Sequence, residues 1–185
     1  MTADTASLTG QLLIGDASSP LIVALLEGAK TAAMLLPSKE PPLEVMTAAL
    51  HRRRAEGKQI STLHLIAHGR AGAFRFGEQW IDAEALKAHA TDLADWGVDT
   101  IALWSCHVGA DAGFVALLEE LTAGRVLASA DWLGRDGSNE RLQLSEWQLS
   151  DLLKQEAWPA QFRLEEFDDE LIEGLDQPTA ADDEN

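Results

Sequence analysis

STLHLIAHG, residues 61–69, and TIALWSC, residues 100–106, decide how this chain folds. Each is a short, nearly unbroken apolar run, the pattern of a strand buried on both faces of a parallel sheet. Each ends in a reactive side chain, His68 in the first and Cys106 in the second. Working outward, Gln11–Ile14, Thr31–Leu36 and Arg125–Ala130 read as three further strands. Helices fill the gaps. One starts at Ser18-Ser19-Pro20, one runs from Pro41-Pro42 to the basic stretch ending at Arg54, one is capped by Asp82, and one spans Asp111–Thr122. Gly72, Gly77 and the alternating Phe74, Phe76 and Trp80 predict a β-hairpin over 72–81. After the fifth strand, Gly134–Gly137 reads as a turn, Arg141–Trp147 as an edge strand, and Leu149–Phe162 as a last helix interrupted at Pro159.

Strands separated by helices imply right-handed parallel crossovers. The expected fold is therefore α/β: a doubly wound, flavodoxin-like three-layer sandwich with a mainly parallel central sheet and an inserted hairpin. The domain is expected over residues 9–163, after a flexible N-terminus (1–8) and before an acidic, solvated tail (164–185). The chain carries a net charge of −17 over 185 residues, and ten of its acidic side chains fall within 165–185 with no basic one among them. The rest holds 21 acidic against 14 basic side chains. An acidic tail repels nucleic acid and anionic membranes, and no basic stripe compensates. No nucleic-acid partner and no membrane insertion is expected. No apolar run approaches a membrane span, and no basic-then-apolar leader opens the chain, so the expected compartment is the cytoplasm or the exterior by a leaderless route.

Sites in open parallel sheets form beyond the carboxyl ends of the strands. If the strands ending at His68 and Cys106 are neighbours, both side chains share one crevice. A thiol needs a base to act as thiolate, and imidazole supplies it. Gly69 leaves room for a substrate carbonyl, and the N–H groups of Gly69 and Cys106 can form an oxyanion hole. Cys106 is the sole cysteine, which excludes an internal disulfide and a multi-cysteine zinc site. The plain alternative for a lone cysteine is a small buried hydrophobe. His64 shares a strand face with His68 and reads as a packing residue, and no carboxylate spacing supports a metal site at His64, His68 and His107. Asp131, at the end of the fifth strand, and Ser105 and His107, flanking the cysteine, are candidate pocket residues. Trp80, Trp96 and Trp132 read as core or edge packing that can also rim the cleft. No P-loop and no Gly-x-Gly-x-x-Gly follows the first strand, so no cofactor is expected.

The blocks LHLIAHG (63–69) and IALWSCHVG (101–109) resemble those of the caspase-like cysteine peptidases, the group that includes caspases, gingipains, legumain and separase. A closer resemblance is to a bacterial domain of unknown function, number 4347, found at the N-terminus of large secreted or surface repeat proteins. LLIGDASSP (12–20), LLPS (35–38), AHGRAGAFRFG (67–77), LADWG (93–97), WSCHVGADAG (104–113) and LTAGRVLASADWLG (121–134) carry it, in that order. That family usually reads Ser-His-Gly and Tyr-Gly-Cys, where this chain has Ala67 before the histidine and Trp104-Ser105 before the cysteine. The resemblance implies a cysteine-dependent, peptidase-like hydrolase with a His68/Cys106 dyad. It would act on a peptide or protein, in self-processing or in maturation of a secreted or surface protein. The alternative expectation is a catalytically inactive docking or targeting module that keeps the fold and binds a protein partner.

Overall fold

The computed structural model describes residues 8–165. The first seven residues and the acidic tail beyond Glu165 lie outside the described residues. Five parallel strands make the central sheet: β1 (Gln11–Asp16), β2 (Ala32–Leu36), β3 (Thr62–Ile66), β7 (Thr100–Trp104) and β8 (Arg125–Leu127), in the order β2-β1-β3-β7-β8. The order reverses between β1 and β3, so the chain switches direction across the sheet there, and the crevice of a doubly wound fold opens at that point.

The two faces of the sheet are covered differently. Leu12, Ile14, Leu63, Leu65, Ile101 and Leu103 point to one face. There they meet α2 (Pro42–Ala55), α3 (Ala83–Ala88), α4 (Ala90–Ala94) and α5 (Ala112–Thr122), through Met46, Leu50, Leu86, Leu93, Phe114 and Leu118. Leu13, Ile66, Ala102 and Trp104 point to the other, which is covered by α1 (Pro20–Leu26) and by the chain from Leu133 to Leu164. Parity along each strand fixes the assignment. Capping follows the sequence signals: Ser19, Asp82 and Asp111 accept hydrogen bonds from the backbone N–H groups of Ile22, Ala85 and Phe114.

The expected hairpin is present as β5 (Ala73–Phe76) and β6 (Gln79–Ile81), and β4 (His68–Arg70) pairs with β5 to make a three-stranded antiparallel sheet. The helix expected after Asp82 is broken at His89 into α3 and α4.

The C-terminal third departs from expectation. The predicted turn at 134–137 is a strand, β9 (Gly134–Asp136), which pairs antiparallel with β10 (Asn139–Arg141). The predicted edge strand splits into β10 and the short pair β11 (Gln143–Leu144) and β12 (Trp147–Gln148). The last helix does not form. Residues 149–151 and 155–157 make single 3₁₀ turns, and β13 (Gln161–Arg163) pairs antiparallel with the other edge of β9. Leu149, Leu152 and Leu153 have helical spacing, but tertiary partners claim the backbone: Lys30 N–H donates to Leu152 O (2.8 Å) and Lys154 N–H to Gly28 O (2.8 Å). Pro159 then removes a donor a longer helix would need. The β9–β13 pairing is so close that a Cβ at position 134 would collide with the Phe162 carbonyl, which is why glycine stands there.

Leu152 is fully buried under the sheet although no helix carries it. Leu152→Ala is therefore expected to cost about 2–5 kcal/mol in urea unfolding; a loss below about 0.5 kcal/mol, the range of surface substitutions, would mean that this segment does not cover the core.

Candidate functional site

β3 and β7 run side by side with Ile66 opposite Trp104, and the last rung between them is Ala67 N–H to Trp104 O (3.3 Å). Continuing the alternation two residues further brings His68 and Cys106 to the same end and the same face of the sheet. Beyond the last rung, the N–H groups of Gly69 and Cys106 lie outside the β3–β7 ladder and need an acceptor. Both find it in one atom. Gly69 N–H donates to the Leu164 carbonyl at 3.0 Å and Cys106 N–H donates to the same oxygen at 2.9 Å. Leu164 immediately follows β13, and Leu164 N–H donates to Leu133 O (3.0 Å), so its backbone is pinned from both sides. Leu164 and Glu165 are thus held against the strand ends.

Glycine at 69 is a steric requirement. A Cβ there would lie 2.7 Å from Ser105 Cβ and 2.8 Å from both Cys106 O and Val108 Cγ2. A methyl at this position forces the β3 and β7 ends apart and misaligns the two donors.

His68 is fully buried, and both ring nitrogens are engaged. Nδ1 lies 2.6 Å from the Glu165 carbonyl oxygen and Nε2 lies 3.0 Å from Ser19 Oγ. A carbonyl only accepts, so Nδ1 carries a proton in this contact. Ser19 is the N-cap of α1, just past β1, so the His68–Ser19 bond crosses the sheet's switch point. Cys106 is also fully buried, within the apolar cluster that holds Ile66, Trp104, Leu133, Phe162 and Leu164. Its sulfur accepts from Leu133 N–H (3.0 Å) and faces Leu133 O (3.3 Å), the same oxygen that receives Leu164 N–H.

The pocket candidates fall in different places. His107, in the left-handed region at φ 63°, faces Glu165, with Nε2 3.2 Å from Oε1, and Arg163 Nη1 lies 3.4 Å from that oxygen. Asp131 is exposed and its carboxylate pairs with Arg141 at 3.1 Å, while its backbone carbonyl accepts from His107 N–H. Ser105 is buried and donates to Ala67 O (2.6 Å), tying the two strand ends together. Of the tryptophans, Trp96 is core, donating to Thr47 Oγ1. Trp80 lies under Arg70, 4.0 Å from guanidinium to ring, and Trp132 packs against Arg163 of β13 at 4.4 Å.

Matching the family model for a domain of unknown function (DUF4347) spans residues 13–168. The chain belongs to that family. The matched span encloses Ser19, His68, Gly69, Cys106, Leu133, Leu164 and Glu165, so the DUF4347 domain includes both the strand ends and the segment lying across them. Comparison with curated proteins and with solved structures finds no match.

Sequence reasoning missed Ser19, Leu133, Leu164 and Glu165. The signal for the last two is the polar–apolar alternation Gln161-Phe162-Arg163-Leu164, which spells a strand rather than a helix end. His64 is packed, as its place in the strand implied: Trp104 Nε1–H donates to its Nδ1 (3.1 Å) and its Nε2 faces Gln11 Oε1 (2.8 Å). Burial lowers its pKa from 6.5 to about 3. Among the described residues, no group of three His, Cys, Asp or Glu side chains could hold a metal ion.

Because His64 is neutral when folded and protonated in the unfolded chain below pH 6.5, the unfolded state binds the extra proton between those values. Stability from this group is complete above about pH 6.5 and falls as pH drops toward 3. His64→Leu is expected to flatten the stability–pH curve in that window by up to about 1.4 kcal/mol per pH unit, measured by urea unfolding at successive pH values; an unchanged slope would contradict a neutral His64.

Proposed function

We propose that this DUF4347 domain is a cysteine-dependent hydrolase of the peptidase type, related in site and architecture to the caspase-like enzymes. Cys106 attacks a carbonyl carbon, His68 carries the proton, and the N–H groups of Gly69 and Cys106 hold the oxyanion. One observation carries this reading: those two N–H groups converge on a single carbonyl oxygen, at 3.0 and 2.9 Å. A donor pair aimed at one oxygen from two strand ends is the arrangement acyl transfer needs for its developing charge. The bond between Ser19 and His68 Nε2 supports it further by fixing the orientation of the imidazole.

A second reading has its own observation. Cys106 and His68 are both fully buried, and the sulfur rests on Leu133 backbone atoms. On that reading the domain is a catalytically inactive docking module of the same fold, with a protein partner and a filled cleft.

The two separate on covalent chemistry. A peptidyl acyloxymethyl ketone is expected to form a thioether at Cys106 of the folded wild type and none in Cys106→Ala, with His68→Ala reacting about 10²- to 10⁴-fold more slowly. Intact-mass kinetics give the ratio. Equal rates for the wild type and His68→Ala would leave the docking reading in possession.

A further inference from the structure

The cleft at the ends of β3 and β7 is filled by this chain's own backbone, and the way it is filled is specific. Residues 161–163 pair antiparallel with β9, Leu164 continues the extended run, and Glu165 bridges in parallel to Gly69. An added strand whose side chains alternate into a pocket is how many proteins hold extended peptides. The Leu164 side chain is fully buried in the apolar cluster that also holds Cys106, Leu133 and Phe162. Glu165, by contrast, reaches His107 and Arg163. The carbonyl of Leu164 occupies the donor pair, and the carbonyl of Glu165 touches His68 Nδ1 at 2.6 Å. So the oxyanion donors sit on the acyl side of one peptide bond and the imidazole on its amine side. The sulfur and the Leu164 N–H share the Leu133 oxygen, at 3.3 and 3.0 Å, which keeps the thiol beside that same residue.

We infer that the Leu164–Glu165 peptide bond is the bond this site cleaves, in cis, separating the folded domain from the acidic chain that follows. The inference rests on the hydrolase reading above. The thiol leaves Leu133, gives its proton to His68, and Sγ bonds to the Leu164 carbonyl carbon. The oxyanion stays on the Gly69 and Cys106 N–H groups. The C–N bond to Glu165 breaks, the Glu165 nitrogen takes the proton from His68, and Leu164 remains as a thioester on Cys106. Water then attacks the thioester, giving a proton through His68 back to the sulfur, and Leu164 becomes a free carboxylate. The substrate class is an extended peptide with leucine before the cut bond and a carboxylate side chain after it. The pocket for that leucine is apolar and already built.

The test is the full chain incubated after purification and followed by intact mass and terminal sequencing. The expected result is a single break, with Leu164 as the new C-terminus and Glu165 as the new N-terminus. Cys106→Ala stays whole, and His68→Ala is cut at least about 100-fold more slowly. Leu164→Asp stays whole, and because a buried aspartate can unfold the domain, Glu165→Pro is the companion variant. It keeps Leu164 but replaces the amide that must leave, and it is expected to stay whole with a near wild-type unfolding midpoint. Three results would overturn the inference. A chain that stays whole while Cys106 reacts with the ketone in a His68-dependent manner would leave the hydrolase standing with another substrate. A break at any other bond would do the same. A whole chain with an inert Cys106 would remove both proposals.

Discussion

The parallel pairing of β3 with β7 is the constraint on which the site depends. With Ile66 opposite Trp104, strand alternation assigns His64, Ile66 and His68 to the same face as Ala102, Trp104 and Cys106. A slip of one residue in either strand would send the imidazole or the thiol into the opposite core, among the helices. The same register ends the ladder at Ala67 and leaves two backbone donors facing one direction. Buried N–H groups do not stay unpaired, since each would cost about 1–3 kcal/mol. The fold therefore had to bring a carbonyl to Gly69 and Cys106, and the one it brings is Leu164.

That requirement explains the unequal coverage of the sheet. One face is sealed by four helices whose backbones satisfy themselves. The other is sealed by α1 and by an irregular chain whose short strands pair among themselves and whose remaining backbone bonds reach residues 28–30 and the ends of β3 and β7. A helix laid over the strand ends would present only side chains to Gly69 and Cys106. An extended strand presents carbonyls. Apolar burial anchors it through Phe162 and Leu164, while its polar backbone meets the donors. Segments held by edge pairing and a few apolar anchors also open at lower free energy than core strands.

Much of this was legible in the sequence. The five strands and their helices follow from apolar runs, caps and glycines, and the placement of reactive residues at the ends of 61–67 and 100–104 follows from the rule for parallel sheets. The N–H groups of Gly69 and Cys106 were expected as a donor pair, and in the fold they share one acceptor, the Leu164 carbonyl. What escaped was whatever depends on pairing between distant segments. Ser19 reads as a helix cap, and it is one; nothing local shows that its hydroxyl also faces an imidazole 49 positions away. Leu149, Leu152 and Leu153 satisfy a helical period and a buried 3₁₀ turn equally well, and only the bonds to Gly28 and Lys30 decide. Once that segment was read as helix, Gln161–Leu164 was absorbed into its end, and the acceptor for the two donors vanished from view.

His64 and His68 show how surroundings, not residue type, set what a histidine can do. They are four positions apart, on one face, and both fully buried. His64 meets a donor, since the Trp104 indole N–H points at Nδ1, and a second proton there would set two N–H groups against each other. With burial acting in the same direction, the ring is held neutral and serves as packing. Each ring nitrogen of His68 lies against an oxygen. Ser19 Oγ and the Glu165 carbonyl can each accept a hydrogen bond, so an imidazolium formed here would find a partner on both nitrogens. On the proposed hydrolase reading, His68 takes a proton from a thiol and returns it to an amine, and such a residue needs acceptors in place before the proton arrives. Of the two buried rings, only the one beside Gly69 has them, and it is the one in contact with the peptide that occupies the cleft.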